Sequence, residues 1–431
     1  MNINLPEKMV FPIQGNMRFP MPDMVSVKQS FSDKHIADVE TELLKSLNRL
    51  ESRGRLYGKT VAIGIGSRMV TNMKQIVSST VKWLRLQGAA PFIVPAMGSH
   101  GGADALGQVG LLESLGITEE STGAPIRSSM EVVRLAELED GTPVYCDSLA
   151  AHSDGIIICQ RIKPHTSISA PIESGICKGM TVGLGKHKGA RMFHKRGYDV
   201  LGEVLEQTAK AFVATGKILF AIGIVENAFE QTMMVEAIGA GQIIEREKEL
   251  LKISKENMPS LQFEQIDVLI IDRIGKDING CGCDPNITGR PIAHVPPKNK
   301  LRLQNIVALD LTDASHGNAC GIGVVDFITK KMLGKISFVD TYTNVITSGA
   351  TMAARLPIIT DNDEQAVRLA MLCSYREHME DVRVVHIMDT LHLTQIDISR
   401  NMLKDICSDK RFSVIGPGRP LNFDDEHALV I

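Results

Sequence analysis

The chain has 431 residues, too many for one ordinary hydrophobic core, so two domains of roughly 150 to 250 residues are expected. Its 47 Lys and Arg against 50 Asp and Glu give a net charge of −3, which excludes the broad basic footprint of a nucleic-acid binder and leaves the cations for local anion sites. Eight cysteines without a regular framework fit a reducing compartment and not a disulfide scaffold.

The opening MNINLPEKMVFPI lacks the basic start and apolar run of a signal peptide, and no apolar run approaches the roughly 18 residues of a membrane span. A soluble, cytoplasmic protein without a membrane partner is therefore expected. Residues 1–31, with Pro6, Pro12, Pro20 and Pro22, read as an extended arm packed on the surface and not as a strand of a central sheet. Ser32 reads as a cap for a helix with Ile36, Val39, Leu43, Leu47 and Leu50 on one face. Residues 60–65 form a β-branched run. Met73, Ile76, Val77, Val81 and Leu84 then line one face of a helix over 72–86, Gly88 closes it, and 91–94 is a second strand. Strand, helix and strand with short links make a βαβ unit, hence a parallel sheet.

Gly98, Ser99, His100, Gly101 and Gly102 follow the second strand, a helix begins near Ala103, and a hairpin turns at 139–142. Beyond a strand at 156–159, helices are expected at 198–214 and 239–254, with a strand at 218–225. The polar run 255–265 marks the domain boundary. Strands at 268–271, 306–309 and 382–387, with helices at 341–347 and 364–373, complete a second α/β region. The fold class is thus α/β, with domains over 1–260 and 261–431 built on mainly parallel sheets.

The segment 154–197 stands apart, a long glycine-punctuated stretch that leaves regular structure through Pro164 and carries His165, Lys178, His187 and His194. Imidazoles and a lysine supply a general base, a metal ligand and an amine nucleophile, and so long a loop is uncommon unless functional. Arg68, His100, His165 and Lys276 each follow a different expected strand. Ligands of open parallel sheets bind at the carboxyl ends of strands, so four neighbouring strands would aim all four residues into one crevice.

Arg68 in IGSRMVTN, His100 in MGSHGG, Pro164-His165, Lys178 and His194, in that order, resemble the nickel-dependent lactate racemases and their relatives over most of the chain. That resemblance implies a nickel-pincer nucleotide, a pyridinium mononucleotide with two sulfur arms, joined through a thioamide to Lys178, with His194 as the nickel ligand. It implies His100 and His165 as paired acid/base residues, and Arg68 and Lys276 as substrate-binding cations. The N-terminal domain would carry the tether and histidines, and the C-terminal domain would close a cleft holding the active site. The activity implied is racemisation or epimerisation of a 2-hydroxy acid, with cofactor-biosynthesis proteins as partners and a homo-oligomer as a possible state.

Chemistry makes these residue types sensible. Removing a proton from the α-carbon of a 2-hydroxy acid adds charge beside a carboxylate, whereas removing hydride gives a planar keto acid that takes hydride back on either face. No side chain accepts hydride, so a cofactor is needed. A base near neutral pKa must take the hydroxyl proton, and an arginine binds the carboxylate in two-point fashion. The glycines at 98, 101 and 102 would let a helix N-terminus approach the nucleotide phosphate.

This chain departs from the family pattern in places. Ile65 stands three positions before Arg68 where an acidic residue is usual; the interval from His165 to Lys178 is long; Lys163, Lys186 and Lys188 rival Lys178 as tether; and Trp83 is the only tryptophan. The segment 274–290 is expected to line the pocket. Three alternatives stay open. One is an epimerase of a larger polyhydroxy acid, suggested by Asp284, Asn286, Thr288 and Arg290. Another is a non-catalytic nucleotide or metabolite binder, although no GxGxxG follows the first strand. The last is a hydrolase using Cys281 or Cys283 with His316.

Overall fold

In the computed structural model, which describes residues 5–13, 17–51 and 56–430, the chain forms two compact units, residues 32–258 and residues 1–31 together with 259–431. Both are α/β with mainly parallel sheets. The first strand, β1 (Asp23–Gln29), belongs to the second of these units.

The unit of residues 32–258 is built on a five-stranded sheet. Its strands are β2 (Thr60–Ile65) and β3 (Ala90–Pro95), then, after the two-stranded hairpin β4 (Val132–Glu137) and β5 (Pro143–Asp147), β6 (Gly155–Arg161), β7 (Ile218–Glu226) and β8 (Thr232–Gly239). The order is β3-β2-β6-β7-β8, parallel except for β8. Strand β2 reads as a near-continuous apolar run because both faces are covered. Val61, Ile63 and Ile65 enter one core with Ile76, Val77 and Leu84 of the helix Met73–Leu86, while Ala62 enters the other, with Ile156, Ile158, Leu205 and Phe212. Trp83 joins the first core, edge-on to Phe220 with ring centroids 5.9 Å apart.

The helix Val39–Leu47 buries Val39, Leu43 and Leu47 as its spacing requires, but its cap is Asp38, whose Oδ1 accepts the Thr41 N–H at 3.0 Å, and not Ser32.

The second unit contains β9 (Gln265–Ile274), β10 (Arg302–Leu311), β11 (Phe327–Thr329), β12 (Ile358–Thr360), β13 (Val384–Ile387), β14 (Gln395–Ser399) and β15 (Phe412–Val414). They assemble with β1 in the order β12-β11-β10-β9-β13-β14-β1-β15, and Arg419–Pro420 pairs with β1. The stretch from β12 to β13 is parallel. The remaining pairs are antiparallel. The helix Asp363–Leu372 packs Ala366, Val367, Ala370 and Met371 on Val268, Ile270, Val307 and Leu309.

Two expectations are corrected here. The N-terminal arm supplies β1, an interior strand of this sheet: all four prolines lie before Asp23, so Met24, Val25, Val27 and Gln29 are free to pair and are buried. The segment after His165 is not one long loop, because from Ile176 to His194 it is almost wholly helical. Its glycines allow close packing. A methyl group at Gly183 would stand 2.5 Å from Ala96 O. Among the described residues no helix is long and apolar enough to cross a membrane.

Candidate functional site

The sheet of residues 32–258 starts with β2, adds β3 on one side and places β6 on the other, so the chain reverses direction across the sheet between β2 and β6. The carboxyl ends flanking such a reversal are where open α/β sheets bind ligands. Arg68 follows β2, His100 follows β3 and His165 follows β6, so three of the four expected residues share one edge. Lys276 follows β9, a strand of the other sheet and the other unit. Arg68 is exposed in the loop after β2. That loop is tied down by Glu226 at the end of β7, which accepts the Thr71 N–H at 2.7 Å and pairs with Arg161 at the end of β6. Ser67 Oγ and His100 Nδ1 are hydrogen-bonded, which joins the loops after β2 and β3 directly.

The turn carrying His100 rests on buried polar groups. Gln108, fully buried, donates from Nε2 to Gly98 O at 2.9 Å and to His100 O at 3.3 Å. Its Oε1 accepts from Lys186 Nζ at 2.9 Å, and the same ammonium donates to Pro95 O at 2.6 Å and lies 3.1 Å from Asp147 Oδ2. Lys186 has 0% exposure. Burial lowers its pKa, and Asp147 opposes that. With its Nζ engaged three ways, Lys186 drops out as a rival tether. Sequence spacing does not reveal this network.

The helix after this turn begins at Ala105, and its N-cap is Asp104, whose Oδ2 accepts the Gly107 N–H at 2.9 Å. A carboxylate there repels an anionic ligand, so the phosphate role expected for this helix N-terminus is withdrawn.

The loop bearing His165 is closed at its base, where Lys163 N–H donates to Ser174 O at 2.9 Å. Inside it lies Glu173, fully buried, which accepts the His165 N–H at 2.7 Å, the Ala170 N–H at 3.3 Å and Lys255 Nζ at 2.5 Å. His165 Nδ1 accepts the Ser167 N–H at 3.0 Å. Backbone and ring are therefore both oriented.

Lys178 ends the short helix Ile176–Lys178 and leads into a π-helical turn, Gly179–Gly183, a geometry frequent at functional sites. Gly98 N–H donates to Gly183 O at 3.0 Å, so this turn packs against the His100 loop. Beneath it, the buried carboxyl of Glu247 accepts the Cys177 N–H at 2.8 Å. The helix Lys186–His194 then brings His194 back toward Lys178. Burial, helped by the Lys178 charge, pushes the His194 pKa down to about 4, so its ring is neutral at physiological pH. Its Nδ1 is buried and has no hydrogen-bond partner among the described residues. A neutral imidazole with an orphaned nitrogen near a lysine amine fits a metal that brings its other ligands with it. Among the described residues no group of three or more His, Cys, Asp or Glu could hold a metal by itself. His187 and Lys188 are exposed, the latter over the Tyr145 ring at 4.5 Å.

In the other unit, Lys276 Nζ donates to Gly280 O at 2.6 Å and to Asn344 Oδ1. Cys281 and Cys283 are buried, and burial pushes the Cys283 thiol up to about 12, so the cysteine-hydrolase alternative loses its nucleophile there. Several polar groups of residues 284–290 bond within the second unit. Asp284 Oδ1 accepts from Asn286 N and Nδ2 at 2.9 Å, Thr288 Oγ1 donates to Asp284 O at 3.3 Å, and Arg290 donates to Val324 O at 2.7 Å and pairs with Asp326 at 2.6 Å.

No family model matches the chain, and no curated protein matches it. Among solved structures it is similar to the lactate racemase apoprotein from Thermoanaerobacterium thermosaccharolyticum, at 12% identity and a TM-score of 0.47, over 79% of this chain and 89% of that one.

Proposed function

We propose that this chain is an isomerase, a racemase or epimerase of a 2-hydroxy acid, working with a nickel-pincer pyridinium nucleotide attached through Lys178. The observation that carries the reading is His194, neutral, with a buried Nδ1 that has no hydrogen-bond partner among the described residues, close enough to Lys178 to feel its charge. When bound, the group supplies a pyridinium ring that takes hydride from the substrate α-carbon and returns it to either face. His194 would hold the nickel and Lys178 the organic part. Arg68, exposed in the loop after β2, would grip the substrate carboxylate through two N–H groups. His100 and His165, on the same sheet edge as Arg68, would hold and return the hydroxyl proton. Proteins that build and load the nucleotide are partners this reading requires.

The test uses protein from a host that makes the nucleotide and a set of enantiopure 2-hydroxy acids deuterated at the α-carbon. Retention of deuterium in the product of opposite configuration supports hydride transfer. Wash-out into water contradicts it, and noncovalent nucleotide binding without turnover favours a metabolite-binding protein.

A further inference from the structure

The unit of residues 1–31 and 259–431 holds a cavity of about 700 Å³ between the N-terminal arm and the first turns of the helix Asp363–Leu372. A volume of that order suits a small molecule. One wall is apolar, with Phe11, Ile13 and Met17, and the other is polar, with Arg18, Glu364 and Arg368. Arg368 is fixed by its neighbours. Its Nη1 donates to Met17 O and Phe19 O, each at 2.8 Å, its Nε donates to Glu364 Oε1 at 2.7 Å, and the guanidinium carbon lies 5.3 Å from the centre of the Phe19 ring. Nη2 has no partner among the described residues, so a partly buried cation keeps two N–H groups unspent. Both oxygens of Glu364 are occupied, Oε1 by Arg368 and Oε2 by His427 Nδ1 at 2.6 Å.

We propose that this cavity binds a small monocarboxylic acid with an apolar body, its carboxylate on Arg368 Nη2 and its body against Phe11, Ile13 and Met17. The charge of the wall selects the sign of the ligand. With His427 neutral, Glu364 cancels one of the two arginines, and one positive charge is left over to attract an anion. The fixed guanidinium loses little freedom when the ligand arrives, and planar N–H groups suit a carboxylate. An inorganic anion would use the cation and leave the apolar wall in water, whereas a neutral apolar molecule would strip water from Nη2 without replacing its hydrogen bonds. The site belongs to the unit that does not contain Lys178, and binding there makes and breaks no covalent bond.

Methyl spectra of the full-length protein carrying ¹³C-methyl methionine read the site directly, with Met17→Leu used to assign the Met17 signal. The probes are phenylacetate, its neutral amide phenylacetamide, and acetate. The expected result is a saturable shift of the Met17 methyl with phenylacetate at a Kd of about 1 mM or below, the range open to so small a ligand. Phenylacetamide and acetate should bind roughly tenfold more weakly, since each lacks one half of the recognition. Arg368→Gln should weaken phenylacetate to the level of the amide. Glu364→Gln keeps an acceptor for Arg368 Nε and removes a negative charge, so it should tighten binding severalfold, where a merely structural role would loosen it. A Met17 signal unmoved by phenylacetate overturns the proposal, and so does equal affinity for acid and amide. The comparison of the probes in the unsubstituted protein stands even if a variant does not fold.

Discussion

Lys186 Nζ lies 3.1 Å from Asp147 Oδ2, and neither side chain reaches solvent. The pair continues through Gln108 to the carbonyl of His100, so a buried ion pair sets one wall of the candidate site. Removing one charge leaves the other buried and uncompensated. Lys186→Met is expected to lose roughly 3–5 kcal/mol in denaturant unfolding, with part of it recovered when Asp147→Asn is added. A single variant within about 1 kcal/mol of the parent would show the pair to be unimportant, a threshold set by the few tenths usual for exposed pairs.

Glu247 gives stability a pH dependence. Burial raises its pKa from 4.5 to about 7, against the opposing hydrogen bonds from Cys177 and Ile176. The fold thus prefers the protonated carboxyl, so stability falls as pH rises from 4.5 to about 7 and levels off above that. The shift corresponds to about 3 kcal/mol. Glu247→Gln should be more stable than the parent at pH 8 by up to that amount and show no such decline. Parallel pH profiles of the two proteins would contradict this.

His386, in the other unit, has the opposite effect. Burial disfavours its charge, but Asp272 at 2.7 Å and Asp397 at 3.3 Å outweigh it and raise its pKa from 6.5 to about 9. The stabilisation is complete below pH 6.5 and is lost as pH rises through about 9. His386→Gln should cost about 3 kcal/mol at pH 6 and almost nothing from this source at pH 10, measured by denaturant unfolding. An equal cost at both pH values would mean that the ring is uncharged in the fold.

Glycine positions separate close packing from mere tolerance. A methyl at Gly183 would meet Ala96 O at 2.5 Å, whereas one at Gly110, in the helix Ala105–Ser114, would meet nothing within 4 Å. Gly183→Ala should destabilise by about 1–3 kcal/mol, and Gly110→Ala should stabilise by roughly 0.5–1 kcal/mol. Melting temperatures that move the same way in both variants would contradict the contrast.

What could be read from sequence was the part governed by local pattern. The apolar run of β2 and the spacing of Met73, Ile76, Val77, Val81 and Leu84 mark the βαβ unit, because burial repeats with the period of each element. That in turn put Arg68, His100 and His165 at strand ends. Strand β1 was hidden by prolines that all precede it. The helical stretch 176–194 was hidden because its glycines serve close approach, which sequence cannot tell from turning. Asp147, Glu173, Lys186 and Glu247 have partners far along the chain: Glu247 and Cys177 stand 70 positions apart, and no spacing rule connects them.

The most direct measurement of the isomerase reading is intact mass with peptide mapping and nickel content, on protein made beside the cofactor-building enzymes. The expected result is one covalent adduct on Lys178 with about one nickel per chain, nickel lost in His194→Ala, and both adduct and nickel lost in Lys178→Ala, in keeping with a single tether and a single imidazole ligand. An adduct on Lys163 or Lys188, or nickel retained in His194→Ala, would contradict it.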